Sequence, residues 1–518
     1  MQFSEDDGDV ARDLLLDNVE IFDGRDNLGR GYVSIDRGKI ASVGRGPFPK
    51  HYYKSRKVPE RVDGEGLFTL PGFIDSHLHL FALAAHMVGH DLSCLGEINQ
   101  TTFEAVLRQT KENCSVKNGW YRFYGLDSFQ TALSGCLNRS FLDDIFPTDP
   151  VIVRFRSGHG ALLNSVALAA IGVGETTDEP NGVTFARNIE NGQLTGVILE
   201  GEELFSSQIP HSPIADILQS MSPILEDLPS KGITTIVDAT FNNDISKMET
   251  LGELLGANLF GPDVVLMPGV NHVRDFYKEL GKYSDVHRGI NIGHVKIMLT
   301  ASGGRIMPDE LGLSSAIEEA HLLGFPVAIH AVEKESVALA ISALKKNFME
   351  GDRIEHASEL TDENIMDIVG LGIRICSQPS FITDNGGRYF RDIEDASLLY
   401  RFESLRVKGA TVSFSSDAPF SRANPMEWIS AAVSRKIGRS GEVLQPAEKI
   451  PVDAALNMAT LSSAVVSGMS SRKGCLYPGM DADIILLDAN PFKVTLEELP
   501  TISPVLTLRR GVKTYSQV

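Results

Sequence analysis

His77 and His79 sit one residue apart at the end of the apolar stretch LPGFIDSHLHL, residues 70–80. Successive side chains of a strand point to opposite faces, so the two imidazoles point the same way. Two neutral imidazoles converging on one point suit a divalent metal ion. An H-x-H step is short, and it also occurs as a structural histidine pair. Further groups of matching chemistry close later apolar stretches: His330 in FPVAIHA, His356 in RIEHAS and Asp417 in VSFSSDAP. Taken singly, each histidine reads as a core residue with satisfied hydrogen bonds, and Asp417 as a helix N-cap. Taken together, at successive strand ends, they read as one metal site. Lys296 lies inside the apolar stretch HVKIMLT, where a buried ammonium is costly unless paired, neutralised or modified. Either its stem is buried with the ammonium reaching solvent, or the amine takes up CO2 as a carbamate whose two oxygens can bridge two ions.

These residues need a scaffold that brings strand ends together. Between residues 70 and 420 the chain alternates short apolar stretches (GFIDSHLHL, GITTIVDAT, DVVLMPG, HVKIMLTASGG, FPVAIHAV, DRIEHAS, GIRICSQPS, TVSFSSDAP) with amphipathic ones such as LSSAIEEAHLLG and ESVALAISALKKN. Apolar strands separated by helices imply a parallel sheet covered on both faces. Eight such units predict an α/β fold, a distorted (β/α)8 TIM barrel whose site lies at the C-terminal ends of the strands. The barrel is expected over 70–86 and 232–469. Residues 87–231 exceed any barrel loop and are expected to form an inserted cap subdomain and the connection to the second strand. The two ends of the chain, 1–69 and 470–518, read as short strands with Gly/Asp turns, and predict one composite β-sandwich domain.

Bulk properties narrow the partners. A chain of 518 residues exceeds one core, and 42% hydrophobic residues suffice for a sizeable one. The net charge of −20 argues against nucleic acid and anionic membranes, which need a basic face. The five cysteines, Cys94, Cys114, Cys136, Cys376 and Cys475, are odd in number and form no CxxC pair; reduced thiols in a cytoplasmic protein are expected. The acidic N-terminus lacks the apolar core of a signal peptide, and no apolar run of about 18 residues predicts a membrane span.

The order H-x-H, strand Lys, His, His, Asp resembles the amidohydrolase superfamily, and more closely amidohydrolase family 3, the YtcJ-like branch. The stretches VIVRFRSGHGALLNSVAL, GQLTGVILE, NPMEWISAAVSR, ALNMATLSSAVV and PGMDADIILLDANPF also match, in family order. The resemblance implies metal binding by His77, His79, His330, His356 and Asp417, with one or two zinc-like ions. It places Lys296 at the bridging carbamate of the binuclear members. It also implies metal-assisted hydrolysis of amide-type, non-peptide carbon–nitrogen bonds in a small molecule, and a homodimer. In that chemistry Asp417 takes a proton from water and passes it to the leaving nitrogen.

The chain departs from the branch at TASGG, residues 300–304, which lacks the usual Asp, and at HAVEKE, which places Glu333 three residues after His330. The latter resembles deaminase-type members and opens a second reading, a deaminase or imidazolone-type hydrolase with Glu333 as proton shuttle. A helix-opening acid is the structural alternative for Glu333. A third reading is a non-catalytic binding relative. Substrate contacts are expected from His159, Asn164, Arg305, Glu333 and Gln378. Against these stand ordinary roles: a turn for His159, an N-cap for Asn164, the surface for Arg305 and Gln378. Glu200 also matches the branch, and Trp120 reads as core of the insert.

Overall fold

The computed structural model describes residues 13–49, 60–93, 99–114, 118–127, 133, 137–156, 158–180, 182–210, 214–257, 261–283, 290–302, 305–384, 393, 395–438 and 441–517. The chain divides into two compact units. One comprises Met1–His79, Ser222–Thr300 and Pro308–Val518, the other Leu80–Met221 with Ala301–Met307.

In the first unit the two ends of the chain meet. Leu14–Phe22 pairs with Asn27–Asp36 and Glu60–Asp63, and Phe68–Pro71 pairs antiparallel with Ile484–Leu487. Alternate residues of these strands, among them Leu14, Leu16, Val33, Ile35, Ile484 and Leu486, form one apolar cluster, as period-two patterning requires. Hydrogen bonding makes this one continuous eight-stranded sheet, not the two separate sheets of the expected sandwich. The chain next to Ile484–Leu487 bridges back to the far edge at Lys39–Asp481, so one sheet encloses the core.

Eight further strands, all parallel to their partners, carry the apolar stretches: β1 (Phe73–Leu78), β2 (Ile233–Asp238), β3 (Asp263–Leu266), β4 (Val295–Met298), β5 (Val327–Ala331), β6 (Arg353–His356), β7 (Arg374–Ser377) and β8 (Val412–Phe414). β1, β2 and β3 are paired in order, with Ile290–Ile292 beside β3. β4 to β8 are also paired in order. A parallel bridge, Gly269–Lys296, joins the two sets on one side. On the other side the Asp417 N–H donates to His77 O, and the His79 N–H to Ala418 O, each at 2.8 Å. Most residues of these strands are fully buried, and each such Val, Ile or Leu side chain contributes about 1.5–3 kcal/mol by leaving water. Helices Glu310–Leu322, Lys334–Lys346 and Asp362–Leu371 connect successive strands. The last begins at a Thr361–Asn364 capping box and stops at Gly372, whose left-handed φ of 74° a side chain would resist.

The second unit holds a six-stranded mixed sheet in the order Thr184–Arg187, Leu194–Leu199, Gly160–Leu163, Val151–Phe155, Tyr121–Leu126, His90–Asp91. Val151 and Val153 pack on one face with Phe103 and Phe123. Ile152 packs on the other with Trp120 and Phe185. Trp120 is therefore core, for the reason its sequence context suggested. The unit starts at Leu80, not residue 87, ends at Met221, and takes in Ala301–Met307 from a remote part of the chain. Among the described residues no helix is long and apolar enough to cross a membrane.

Candidate metal centre

The ends of β1, β6 and β8 bring His77, His356 and Asp417 together, their donor atoms all within 4.8 Å of one another. His79, one residue past β1, places Nε2 3.1 Å from Asp417 Oδ1, and His77 Nε2 is 3.5 Å from the same oxygen. The His330 ring, on β5, meets the His356 ring edge-on at 4.5 Å between centroids. Lys296, on β4, is 1% exposed and its Nζ has no hydrogen-bond partner.

Simple alternation would turn His356 away from the face used by Glu355. The backbone reverses this: His356 and Asp417 adopt left-handed φ values of 69° and 55°, a conformation costing a non-glycine residue roughly 1–3 kcal/mol. Two strained residues, at the ends of β6 and β8 with β7 between them, mark a site whose surroundings hold them there. Asp75 helps to hold Asp417: its carboxylate accepts from Ser416 N at 3.0 Å and Ser416 Oγ at 2.5 Å. Burial pushes the Asp75 carboxyl up to about 7, against those hydrogen bonds.

Each of three histidines is anchored through Nδ1. His77 is bound to the Glu355 carboxylate, His79 to Thr240 Oγ1 at 3.2 Å, and His356 to Gln378 Oε1 at 2.8 Å. Metal-ligating histidines characteristically have such outer partners, which fix the tautomer and ring orientation. Burial, then the Lys296 charge, holds His77 down to about 3, and burial likewise lowers His356. Both are neutral at neutral pH. Burial works against ionisation of Asp417, but the adjoining His79, His77 and His356 rings hold it below the usual carboxylate range. Burial lowers the Lys296 amine.

Three buried polar atoms here lack any hydrogen bond: His77 Nε2, Asp417 Oδ1 and Lys296 Nζ. Such orphans are rare in native interiors. Neutral imidazole lone pairs beside a carboxylate oxygen are the donor set a divalent cation takes, so the residues present fit a metal ion. A second trio, His77, Glu355 and Cys376, has the same proximity but fits poorly. Arg353 occupies Glu355, and burial pushes the Cys376 thiol up to about 12.

Several expected substrate contacts take other roles. Asn164 is fully buried and caps helix Ser165–Ala170. Its oxygen accepts from Val151 N and Ala167 N, and its amide donates to Phe146 O and Asp149 O. With every donor and acceptor used, it has nothing left for a ligand. Gln378 lies fully buried directly after β7, not on a surface loop, and also donates to Ser415 Oγ at 2.9 Å. Glu333 is the N-cap of helix Lys334–Lys346 and accepts from the Ser336 hydroxyl at 3.1 Å. Arg305 is exposed in the second unit. His159, half exposed, pairs through Nδ1 with Glu200 at 3.0 Å, so the two branch-matching residues of the insert face each other. Sequence reasoning missed Glu355, Arg353, Asp75 and Thr240. The signal for the first two was present: two charges at period two inside the apolar strand DRIEHAS.

Residues 60–515 match the model of the amidohydrolase family. The chain belongs to the amidohydrolase family. These are metal-dependent hydrolases acting on carbon–nitrogen bonds, and the branch is the YtcJ-like one. The chain is 25% identical over 515 residues to the YtcJ protein of Bacillus subtilis, covering 94% of this chain and 96% of that one. It is 24% identical over 551 residues to an N-substituted formamide deformylase of Arthrobacter pascens, covering 98% and 99%. Among solved structures, a metal-dependent hydrolase of Pyrococcus horikoshii superposes with a TM-score of 0.72 at 23% identity, over 93% of this chain and 99% of that one. The amidohydrolase family implies a divalent metal, in agreement with the donor set.

Proposed function

We propose that this amidohydrolase cleaves a non-peptide, amide-type carbon–nitrogen bond of a small molecule, at a centre held by His77, His79, His330, His356 and Asp417. In this reading the eight parallel strands are the distorted (β/α)8 barrel and the centre lies at their C-terminal ends. The observation that carries it is the convergence of His77, His356 and Asp417, their donor atoms within 4.8 Å of one another, with His77 Nε2 and Asp417 Oδ1 buried and without hydrogen bonds. A bound cation, zinc by the donor types, would supply Lewis acidity that ionises water near pH ~7 and polarises the carbonyl.

The remaining work falls to the chain. Asp417, held ionised, takes a proton at its carboxylate from the attacking water and delivers it to the leaving nitrogen. The strained φ of Asp417 and the Asp75–Ser416 bonds fix where that carboxylate stands. Lys296, its pKa lowered by burial, attacks CO2 as the neutral amine; the N–C bond forms as one C=O π bond opens onto oxygen, the amine proton passes to water, and the carbamate oxygens would be donors for two ions.

N-substituted formamides lead the substrate panel, because the Arthrobacter relative acts on that class. N-acyl amino acids, cyclic amides and aminopyrimidines complete it. Steady-state rates with metal content measured alongside test the reading. Turnover on an amide-type substrate by metal-loaded protein, lost on chelation and restored by zinc, is the expected result. Full activity after complete metal removal, or turnover confined to aminopyrimidines, sinks it.

A further inference from the structure

Of the three anchored histidines, His77 alone is held by a charged group. Glu355 and Arg353 are both fully buried. Arg353 is committed through all three guanidinium nitrogens: Nε donates to Glu355 Oε1 at 2.5 Å, one terminal nitrogen to Ser76 O at 2.9 Å and the other to Val466 O at 3.2 Å. It thereby ties β6 to β1 and to the end of helix Leu461–Val466. The other Glu355 oxygen, Oε2, meets His77 Nδ1. A buried ion pair seldom justifies its desolvation by stability alone. This one has a further effect, because a carboxylate can only accept. With Arg353 filling one oxygen, the other compels His77 to carry its proton on Nδ1, and Nε2 is left as a bare lone pair facing Asp417. Thr240 and Gln378 impose less, since a hydroxyl can turn and an amide can flip.

We propose that Glu355, locked by Arg353, is the positioning residue that fixes the metal-ligating tautomer of His77 and strengthens it as a donor. The inference rests on the metal-centre reading above and deepens it. It makes an unusual demand of the conservative variant. In Glu355→Gln the new amide meets two donors, the Arg353 Nε–H and the His77 Nδ1–H, with one oxygen. Turning that oxygen to Arg353 points its N–H at Nδ1, which must then accept, and the His77 proton moves to Nε2, where it blocks the cation. Removing the competing donor as well, in Arg353→Met with Glu355→Gln, frees the amide oxygen for His77.

The test is zinc affinity by chelator competition, with the cobalt-substituted absorption spectrum as a report on ligand geometry. Glu355→Gln is expected to lower affinity by ~10–100-fold and to alter the cobalt bands. The double variant is expected to regain a large part of the loss. A merely structural role would make the double variant worse than the single one. Wild-type affinity and an unchanged cobalt spectrum in Glu355→Gln overturn the inference while leaving the metal centre standing. Absence of zinc binding by the wild type overturns the metal-centre reading itself. Should Glu355→Gln fail to fold, ¹⁵N-histidine NMR of the metal-free wild type decides directly: Nδ1-protonated His77, identified by its loss in His77→Ala, supports the proposal, and Nε2-protonated His77 refutes it.

Discussion

Two lysines of the same compact unit, Lys296 and Lys473, are each 1% exposed, yet they live in opposite surroundings. Lys473 Nζ lies 2.8 Å from Asp263 and 2.8 Å from Thr235 Oγ1, and also contacts Asp483. Asp263 in turn takes Arg509 at 3.0 Å and Arg510 at 2.7 Å. Burial works against the Lys473 charge, but Asp263 and Asp483 outweigh it and raise its pKa. For Lys296 burial prevails, and its pKa falls. The first cluster is closed: each carboxylate has its cation. The second is different: among the described residues the Lys296 amine has no carboxylate within ion-pair distance, and the donor atoms of His77, His356 and Asp417 face one another within 4.8 Å. Burial alone therefore does not distinguish a structural charge from a chemical one; a counter-charge within hydrogen-bonding distance of the buried amine does.

The contrast can be broken by experiment, starting with the largest effect. Asp417→Asn should keep most of the bound metal and lose about 10²–10⁴-fold in turnover; rates near wild type would remove Asp417 from the second cluster's chemistry. Lys473→Met should destabilise the fold by about 3–5 kcal/mol, as Asp483 stays buried without its lysine and Asp263 loses one of three cations, read by denaturant titration. Lys296→Met should do the reverse, leaving the stability of metal-free protein unchanged or higher while metal content drops. If the two lysine variants behave alike, the distinction fails.

Chelation offers a third measure. A ligand present at a hundred times its Kd stabilises by about 2.7 kcal/mol, so metal removal should lower the melting temperature of the wild type and of Lys473→Met, but hardly that of Lys296→Met. The smallest effect lies in the second unit, where the half-buried His86 ring packs against an aromatic neighbour. The His86 ring lies 4.2 Å from the Tyr124 ring, and burial holds its pKa from 6.5 down to about 4. The unfolded chain takes up this proton first, so the contribution is whole above pH 6.5 and is lost as pH falls toward about 4. Melting curves across that range should flatten in His86→Phe; an unaltered pH dependence would show that His86 is not the cause.

Much of the second cluster was legible. A spacing of two on a strand places His77 and His79 on one face wherever the strand lies, and Lys296 stands out as a charge among apolar neighbours. Strand order was legible because each strand is a near-continuous apolar run between helices. What escaped depended on contacts distant in sequence. Nothing local pairs Glu355 with His77, 278 residues away. Gln378 looks like a surface polar residue until packing encloses it, whereas the N-cap reading of Asn164 holds. The left-handed backbone of His356 and Asp417 has no signature in residues that are not glycine. The extent of the second unit was blurred for the same reason: Ala301–Met307 joins residues 80–221 through space, across a chain separation that periodicity cannot bridge.

The sheet built from both ends of the chain sets a timetable for synthesis. Thr69 donates its hydroxyl to Ile485 O, 416 residues further on. A ribosome adding ~5–20 residues per second needs roughly 20–80 s to cover that distance. Throughout that interval the strand Phe68–Pro71 has emerged without its neighbour Ile484–Leu487, presenting an apolar edge of the kind that recruits other strands. Expression of this protein should accordingly respond to lower temperature and to added holdase chaperones more strongly than its finished sheet, in which Phe68–Pro71 is paired with Ile484–Leu487, would suggest.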